Sequence, residues 1–235
     1  DNGLRAGVAA AYTSASTSVP AHGGSADGDA GHVLAYASWT EGPVALRGGA
    51  ALGWGSSDVT RSVSSVGETN TSNRSYRTEQ MFADVGYAFG IAGASLEPHL
   101  GLEHVRASAG SFQESGGPLS SFSGAGSDAS ATFTTLGIRA LGDGIPAGPF
   151  EVTPSLDLGW RHGFGLSRPR QSVTVDNTGQ TYVFYGTPLA EDALTVKLGA
   201  DIVVAPSLRL RLGYDGFLSS HSRDHAVTGK LAWEF

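Results

Sequence analysis

The sequence lacks cysteine altogether, and its 235 residues contain no long apolar run. The absence of cysteine excludes a disulfide, a thiol nucleophile and a cysteine-ligated metal. It also suits a chain that crosses an oxidising compartment while unfolded. No segment approaches the ~18 apolar residues of a membrane helix. The chain opens without a basic, apolar leader, so we expect a processed or truncated N-terminus before Asp1.

Charge is also scarce, because only 16% of the residues are charged and the net charge is -7. Nucleic-acid binders neutralise phosphates with basic side chains, so this balance argues against nucleic acid as a partner. We also find no phosphate-binding loop of the G-x-x-x-x-G-K-[ST] type and no G-x-S-x-G nucleophile motif. We expect no cofactor, no metal and no catalytic residue.

What the sequence has is a period of two. In residues 151–164 the even positions include Leu156, Leu158 and Trp160, whereas the odd positions are polar or small. Successive side chains of a strand point to opposite faces, so this pattern predicts a strand with one apolar face. Ten such strands are predicted, at 3–14, 30–40, 43–56, 76–90, 94–108, 130–142, 151–164, 193–204, 207–215 and 225–235.

Three features favour a membrane barrel over a soluble sandwich. The strands have the ~9–11 residues that a tilted membrane strand needs. Tight turns (40–43, 90–93, 142–148, 205–207) alternate with long polar segments (15–29, 57–75, 109–129, 165–192) and a shorter one at 219–224. Aromatic residues cluster at the strand ends, as in the belts at the two lipid interfaces. Those toward the short turns are Trp39, Tyr87, Phe89, Phe150, Trp233 and Phe235, and those toward the long loops are Tyr12, Trp54, Phe133, Trp160, Phe164 and Tyr214.

The polar faces of these strands are predicted to line a lumen. They carry eight basic and eight acidic residues, which can pair across strands in a nearly neutral lumen. The candidate lumen-lining polar cluster comprises Arg139, Glu151, Asp157, Arg161, Lys197, Asp201, Arg209, Arg211 and Asp215. Its densest part is expected around Arg209 and Arg211 with Asp201 and Asp215. The loops at 15–29, 57–75 and 109–129 are rich in Ser, Gly and Thr, and we expect them to be mobile.

The C-terminal sequence LAWEF resembles the ending of outer-membrane barrels, which their assembly machinery reads. Leu231, Trp233 and Phe235 are therefore the candidate assembly signal. Further stretches resemble the autotransporter β-domain family in order and spacing along essentially the whole chain. They are LRAGVAAAY at 4–12, LRGGAALGW at 46–54, FADVGY at 82–87, LEPHLGL at 96–102, TLGIR at 135–139 and LGWRH at 158–162.

This resemblance implies an all-β, transmembrane, antiparallel up-and-down barrel. The family barrel has twelve strands and a pore helix, so residues 1–235 would be one translocator domain that lacks the helix and the first two strands. The expected partners are outer-membrane lipid, the chain's own N-terminal passenger, the barrel assembly machinery and periplasmic chaperones. We expect a monomer in the outer membrane of a Gram-negative bacterium, with both termini on the periplasmic side. The family's Asn–Asn self-cleavage junction has no counterpart here.

Two other functions remain open at this point. A ten-stranded outer-membrane protease would need a histidine and acidic residues near the outer rim, where His162, His221 and His225 are predicted. A passive porin or a loop-based adhesin is the other alternative. The segment 221–225 (HSRDH) could also bind a metal, although a solvated hairpin tip is the more ordinary interpretation.

Overall fold

The structure, a computed structural model, describes residues 3–20, 23–166, 168–220 and 222–233. Ten long strands form its main wall: β1 (Gly3–Val19), β2 (Gly24–Glu41), β3 (Val44–Val63), β4 (Glu68–Tyr87), β6 (Ala94–Ala109), β9 (Ser127–Gly142), β11 (Phe150–Phe164), β14 (Asp192–Ala205), β15 (Leu208–Ser219) and β16 (Arg223–Trp233). The short strand β5 (Phe89–Ile91) pairs with the start of β6, and the short strand β10 (Ile145–Ala147) pairs with the start of β11. Among the described residues no helix has the length and apolar character needed to cross a membrane.

Neighbouring wall strands pair antiparallel in chain order, which is an up-and-down meander. Within the described part of the chain, β1 and β16 each pair on one side only, so the curled sheet has two open edges. Gly3 pairs with Thr40 and Trp233 pairs with Leu208, so β1 starts and β16 ends beside the tight turns. The all-β meander and the ten readable strands confirm the predicted fold class.

The two faces of the wall differ as predicted. On β3, Leu46, Leu52 and Trp54 lie on the outer face with 42–52% of their surface exposed. Beyond Trp54 the outer positions become polar, beginning with Ser56 and Asp58. The apolar segment 46–54 thus matches the ~9–11 residues with which a tilted strand crosses the bilayer. The exposed apolar side chains therefore form a band of the width that lipid covers.

The predicted loops at 15–29 and 57–75 are wrong as loops, because the strands continue through them. β3 and β4 pair from Val44 and Tyr87 to Val63 and Glu68 without a break. A strand of 20 residues tilted by about 45° spans about 45 Å along the membrane normal, whereas the apolar band needs about 25 Å. The remaining residues of β3 and β4 project on the long-loop side as a paired β-ribbon. This contradicts the expectation of mobile loops there.

The segments 109–129 and 165–192 also contain regular structure. Their strands β7 (Phe112–Gln113), β8 (Phe122–Gly124), β12 (Arg170–Val175) and β13 (Gln180–Tyr185) form a second sheet in the order β13-β12-β8-β7. This small sheet lies at the long-loop end of the wall. The prediction of a mobile segment at 109–129 is therefore also corrected.

The aromatic belts need one correction. Trp39, Trp54, Trp160 and Trp233 are exposed on the outer face, as predicted. Phe133 instead lies on the inner face, where its ring packs under a guanidinium group. Phe133 has an odd position on β9, whereas the outward-facing Leu136 and Ile138 have even positions, so its side chain points to the other face. The sequence interpretation overlooked this difference. Phe235 lies outside the described residues.

Candidate functional site

The densest group of ion pairs on the described inner wall surrounds Arg139 on β9. Its guanidinium donates to Asp84 (2.9 and 3.0 Å), to Glu97 (2.7 Å) and to Asp157 (3.1 Å). These carboxylates come from β4, β6 and β11. Neighbouring strands are about 4.8 Å apart, so Arg139 and Asp84 reach each other across β6 because the wall curls and this face is concave. The concave face is therefore the charged one.

Arg47 on β3 completes this cluster. It donates to Glu97 through both terminal nitrogens, at 2.7 and 2.8 Å, and to Asp84 at 3.1 Å. His99 on β6 is almost fully buried, with 4% of its side chain exposed, and lies between Asp84 (2.9 Å) and Asp157 (3.2 Å). Each ring nitrogen of His99 is thus within hydrogen-bond distance of one of these two carboxylates. Strands β3 to β11 are thus connected by one network of charged hydrogen bonds.

Two glycines make room for this network. A Cβ added at Gly86 would overlap with the carboxylate of Glu97, and one added at Gly137 would overlap with Nε2 of His99. Both side chains therefore lie flat over a neighbouring strand, which lets them reach partners one strand further on. This close approach accounts for the glycine at each of these two positions.

A second pair lies nearer the long-loop end. Arg161 on β11 forms an ion pair with Glu103 on β6 at 2.9 Å. Its guanidinium carbon lies 3.8 Å from the centre of the Phe133 ring, a cation–π contact that holds the side chain against the wall. Arg161 is one of the predicted lumen residues, and it occupies the inner face together with Arg139 and Asp157.

The remaining predicted cluster members lie on the same face of β11, β14 and β15, in looser contact. Arg211 pairs with Asp201 at 2.6 Å. Lys197 is directly opposite both Asp157 and Asp215 in the strand register. Glu151 on β11 and Arg209 on β15 are on the inner face near the short turns. Val203 on β14 lies between them and is opposite both in the strand register. The predicted dense centre at Arg209 and Arg211 is thus corrected: the largest number of ion pairs surrounds Arg139.

The sequence analysis missed four members of this centre as site residues. Arg47, Asp84 and Glu97 were counted on the polar faces but not placed in the candidate cluster. His99 was not considered as a lumen residue. Its odd position on β6, in step with Glu97 and Glu103, is the sequence signal that places it on the inner face.

A second polar centre fastens the loop between β6 and β9 to the inner side of β3 and β4. Arg61 donates to both oxygens of Glu114 (3.0 and 2.5 Å) and lies 4.2 Å from the centre of the Phe122 ring. The Glu114 carboxylate, 6% exposed, also accepts from the backbone of Phe122. Asn70 is completely buried and bonds Gly117 and Ser120. The loop is thus anchored over the outer opening of the curled wall.

The small sheet joins this anchor. Arg74 on β4 donates to the carbonyl of Gly110 and to the side-chain oxygen of Gln171 on β12, at 2.8 and 2.6 Å. Glu68, at the tip of β4, accepts from the hydroxyl of Ser120 and the backbone of Leu119. These hydrogen bonds, that of Ser120 first, lower the pKa of the Glu68 carboxyl below its ordinary value of 4.5. The loop and the sheet together narrow the opening on the long-loop side.

The histidines considered for a barrel protease do not come together. His162 bonds Asp192 at 2.8 Å on the outer face of β11 and β14. His225 on β16 bonds Tyr214 on β15 at 2.7 Å, and β14 and β15 lie between β16 and the strand of His162. His221 lies outside the described residues. No group of three potential metal ligands is found in the part of the chain that the structure describes.

Comparison with known proteins agrees with this architecture. The family model described as autotransporter beta-domain matches residues 1–215. Two proteins called extracellular serine protease, from Serratia marcescens, are each 29% identical, over 206 and 209 residues. Those matches cover 87% and 88% of this chain but 20% of either relative, so the chain spans about a fifth of their length.

Solved structures show the same fold. The translocator domain of the autotransporter NalP from Neisseria meningitidis is similar with a TM-score of 0.76 and 17% identity, covering 100% of this chain and 75% of that one. The beta domain of the Bordetella autotransporter BrkA has a TM-score of 0.66 and 17% identity, covering 99% of this chain and 84% of that one.

The chain belongs to the autotransporter beta-domain family. It is an outer-membrane β-barrel of a Gram-negative bacterium, and its function is that of a translocator for a passenger domain. The protease and porin alternatives are not favoured by these findings.

Proposed function

We propose that this barrel exports a passenger attached N-terminally to Asp1 along its charged inner wall and then anchors it at the cell surface. One observation carries the proposal: the outer face of the wall has an apolar band of membrane width, and the inner face is lined with paired charges. A lipid-facing wall with a hydrated interior gives an unfolded chain a route on which its backbone groups are not exposed to hydrocarbon.

The inner wall suits such a passage because its charges are already paired. Arg139 and Arg47 are held by Asp84, Glu97 and Asp157, so the wall offers a passing peptide hydration without a strong single-sign field. A wall of unpaired charge of one sign would retain segments of the opposite sign. The predicted lumen residues from Arg139 to Asp215 are therefore proposed to form the surface past which the passenger moves.

We further propose that the end with the tight turns faces the periplasm, as short turns do in bacterial barrels. The start of β1 and the end of β16 lie there together. A pair of additional strands between these two open edges would complete the twelve-stranded barrel that the family implies. The exposed apolar residues Val8 on β1 and Val227 on β16, 84% and 83% exposed, support this closure.

The barrel acts as pore and anchor without a reaction of its own. Insertion with the help of the barrel assembly machinery, guided by Leu231, Trp233 and Phe235, belongs to the same proposal, as do periplasmic chaperones and a monomeric state. Trp233 is 72% exposed on the outer face, where a side chain of an insertion signal would be readable.

The test uses the full-length gene product in a Gram-negative cell, with an epitope placed upstream of Asp1. Protease is added to intact cells, and the epitope and the barrel are followed separately. We expect the epitope to be digested while the barrel stays in the outer membrane, and the deletion of 231–235 to abolish both. An epitope that stays protected although the barrel is correctly inserted would contradict the proposal.

A further inference from the structure

Basic side chains are rare on the lipid-facing side of the wall, and two of them are neighbours. Parity along the described wall strands places each lysine and arginine of these strands on the inner face except Arg77, Arg106 and Arg223. Arg77 on β4 and Arg106 on β6 belong to paired strands and are offset by two positions in the register. Side chains at such diagonal positions are about 7–8 Å apart, so one ligand can contact both.

Both arginines lie at the outer end of the apolar band. Arg77 is directly opposite Trp54, beyond which the outer face becomes polar. Arg106 is directly opposite Glu79, one step closer to the centre of the band. Exposed tryptophan marks the level at which acyl chains meet lipid headgroups. The two guanidinium groups, on side chains that are 60% and 56% exposed, are therefore placed at the level of the headgroups.

A groove of about 430 Å³ connects the arginines with the apolar band. The two arginines line one end of it, and Ala50, Leu52 and Met81 line the end toward the centre of the band. Leu52 and Met81 are 42% and 67% exposed on the outer face. The groove thus offers an apolar surface to an acyl chain and N–H donors to the headgroup of the same molecule.

Two carboxylates share this site but leave most of the guanidinium donors unused. Glu79 lies 2.9 Å from Nε of Arg77, and Asp128 lies 3.2 Å from one terminal nitrogen of Arg106. Neither arginine has a further hydrogen-bond or ion-pair partner in the part of the chain that the structure describes. A guanidinium carries five N–H donors, and phosphate is an acceptor that it binds through two of them at once. Exposed ion pairs of this kind are weak and do not prevent such binding.

We propose that Arg77 and Arg106 bind the phosphate of a lipid in the leaflet on the long-loop side, and that an acyl chain of this lipid lies in the groove. A protein strand does not fit by backbone pairing, because β4 already pairs with β3 and β6, and β6 with β4 and β9. The occupant therefore lies against the outer face, which lipid covers in an outer-membrane barrel. The inference needs only an inserted barrel and does not depend on export.

The test titrates the full-length gene product, purified in detergent, with phosphatidic acid and counts bound lipids by native mass spectrometry. Phosphatidic acid carries a phosphate monoester, whereas the phosphate of the comparison lipid, phosphatidylcholine, carries a cationic choline. We expect phosphatidic acid to bind more tightly than phosphatidylcholine. Its apparent dissociation constant should rise about thirtyfold when Arg77→Gln and Arg106→Gln are combined, because each arginine near a headgroup contributes roughly fivefold.

The control combines Arg170→Gln with Arg223→Gln. This variant removes the same charge from two separate places on the long-loop side, so the dissociation constant should change little. Glu79→Gln is a second variant, which keeps both arginines and releases Nε of Arg77 from its carboxylate. It should tighten the binding of phosphatidic acid by about fivefold. It therefore tests the site even if the double arginine variant fails to fold, which the gel mobility of the folded form reports.

Four results would overturn the inference. The first is equal binding of phosphatidic acid and phosphatidylcholine, and the second is an equal loss in the two double variants. The third is unchanged binding in Glu79→Gln. The fourth is displacement of the lipid by inorganic phosphate at the same concentration, which would mean that the guanidinium groups bind a free anion without the groove. The surface epitope assay on the same variants reports on the proposed function separately, because lost lipid binding with a displayed passenger leaves that function intact.

Discussion

Arg139→Met tests whether the inner charge network holds the barrel together. Methionine keeps an unbranched stem but removes the cation that binds Asp84, Glu97 and Asp157. Three carboxylates would then face Arg47 as the one remaining arginine of the cluster. Breaking a buried ion pair by removing one partner costs about 3–5 kcal/mol. Because 29% of the Arg139 side chain is exposed, we expect the low end of that range.

The expected loss is therefore about 3 kcal/mol in the free energy of unfolding, or roughly a hundredfold in the unfolding equilibrium. Urea titration of the refolded barrel in detergent or vesicles measures it, with the gel mobility of the folded form as the readout. Arg106→Met is the matched control. That arginine lies on the outer face, is 56% exposed, and has one ion pair at 3.2 Å with Asp128, so less than about 1 kcal/mol is expected.

A second variant keeps the reasoning testable if Arg139→Met fails to fold. Adding Asp157→Asn to Arg139→Met removes one of the carboxylates left without its cation and should recover part of the stability. Equal losses for Arg139→Met and Arg106→Met, or a double variant less stable than the single one, would refute the network as a source of stability.

Three further outcomes follow from single contacts. Gly137→Ala should lower the free energy of unfolding by about 1–3 kcal/mol, because the new Cβ overlaps with His99; Gly101→Ala, whose nearest atom would be 3.6 Å away, should change little, and equal effects would contradict this. Glu114→Gln weakens the charged bonds from Arg61 by about 2 kcal/mol, so added protease should cleave the loop at 110–126 roughly thirtyfold faster on intact cells, and unchanged cleavage would argue against the anchor. Because the folded pKa of the Glu68 carboxyl is lowered, its contribution to the stability of the anchored loop is fully present above pH 4.5 and is lost as the pH falls through the lower folded value. Protease cleavage of the loop at 110–126 should therefore rise on acidification, and it should rise less in Glu68→Gln.

The sequence predicts the membrane-crossing parts of the strands well and their outer continuations poorly. On β3 the alternation ends at Trp54, where the outer face leaves lipid, although the strand continues to Val63. Beyond that point the outer face meets water and the inner face carries polar contacts to the loop at 110–126, so no apolar face marks the strand. Backbone pairing with β4 persists there because it does not depend on side-chain polarity. Period-two patterning therefore reports the lipid-covered segment rather than the strand.

The period-two pattern also predicts which residues face the lumen, but it does not predict that the ion pairs are centred on Arg139. Parity along each strand assigns Arg139, Asp157 and Arg161 to one face. It does not show that Arg139 reaches Asp84 across β6, since that contact depends on the curl of the wall. Contacts that skip a strand leave no signal in the sequence of either partner. The loop anchor of Arg61 and Glu114, separated by 53 positions, was missed for that reason.

The central claim is that the passenger travels along the inner wall, and site-specific photocrosslinking during export tests it most directly. A photoreactive residue is placed at Ser155, on the inner face of β11, or at Leu158, on the outer face of the same strand. The account predicts that Ser155 is linked to the passenger while export is under way and that Leu158 is linked to lipid only. Passenger crosslinks from Leu158, or none from Ser155 although the passenger reaches the surface, would contradict export through this lumen.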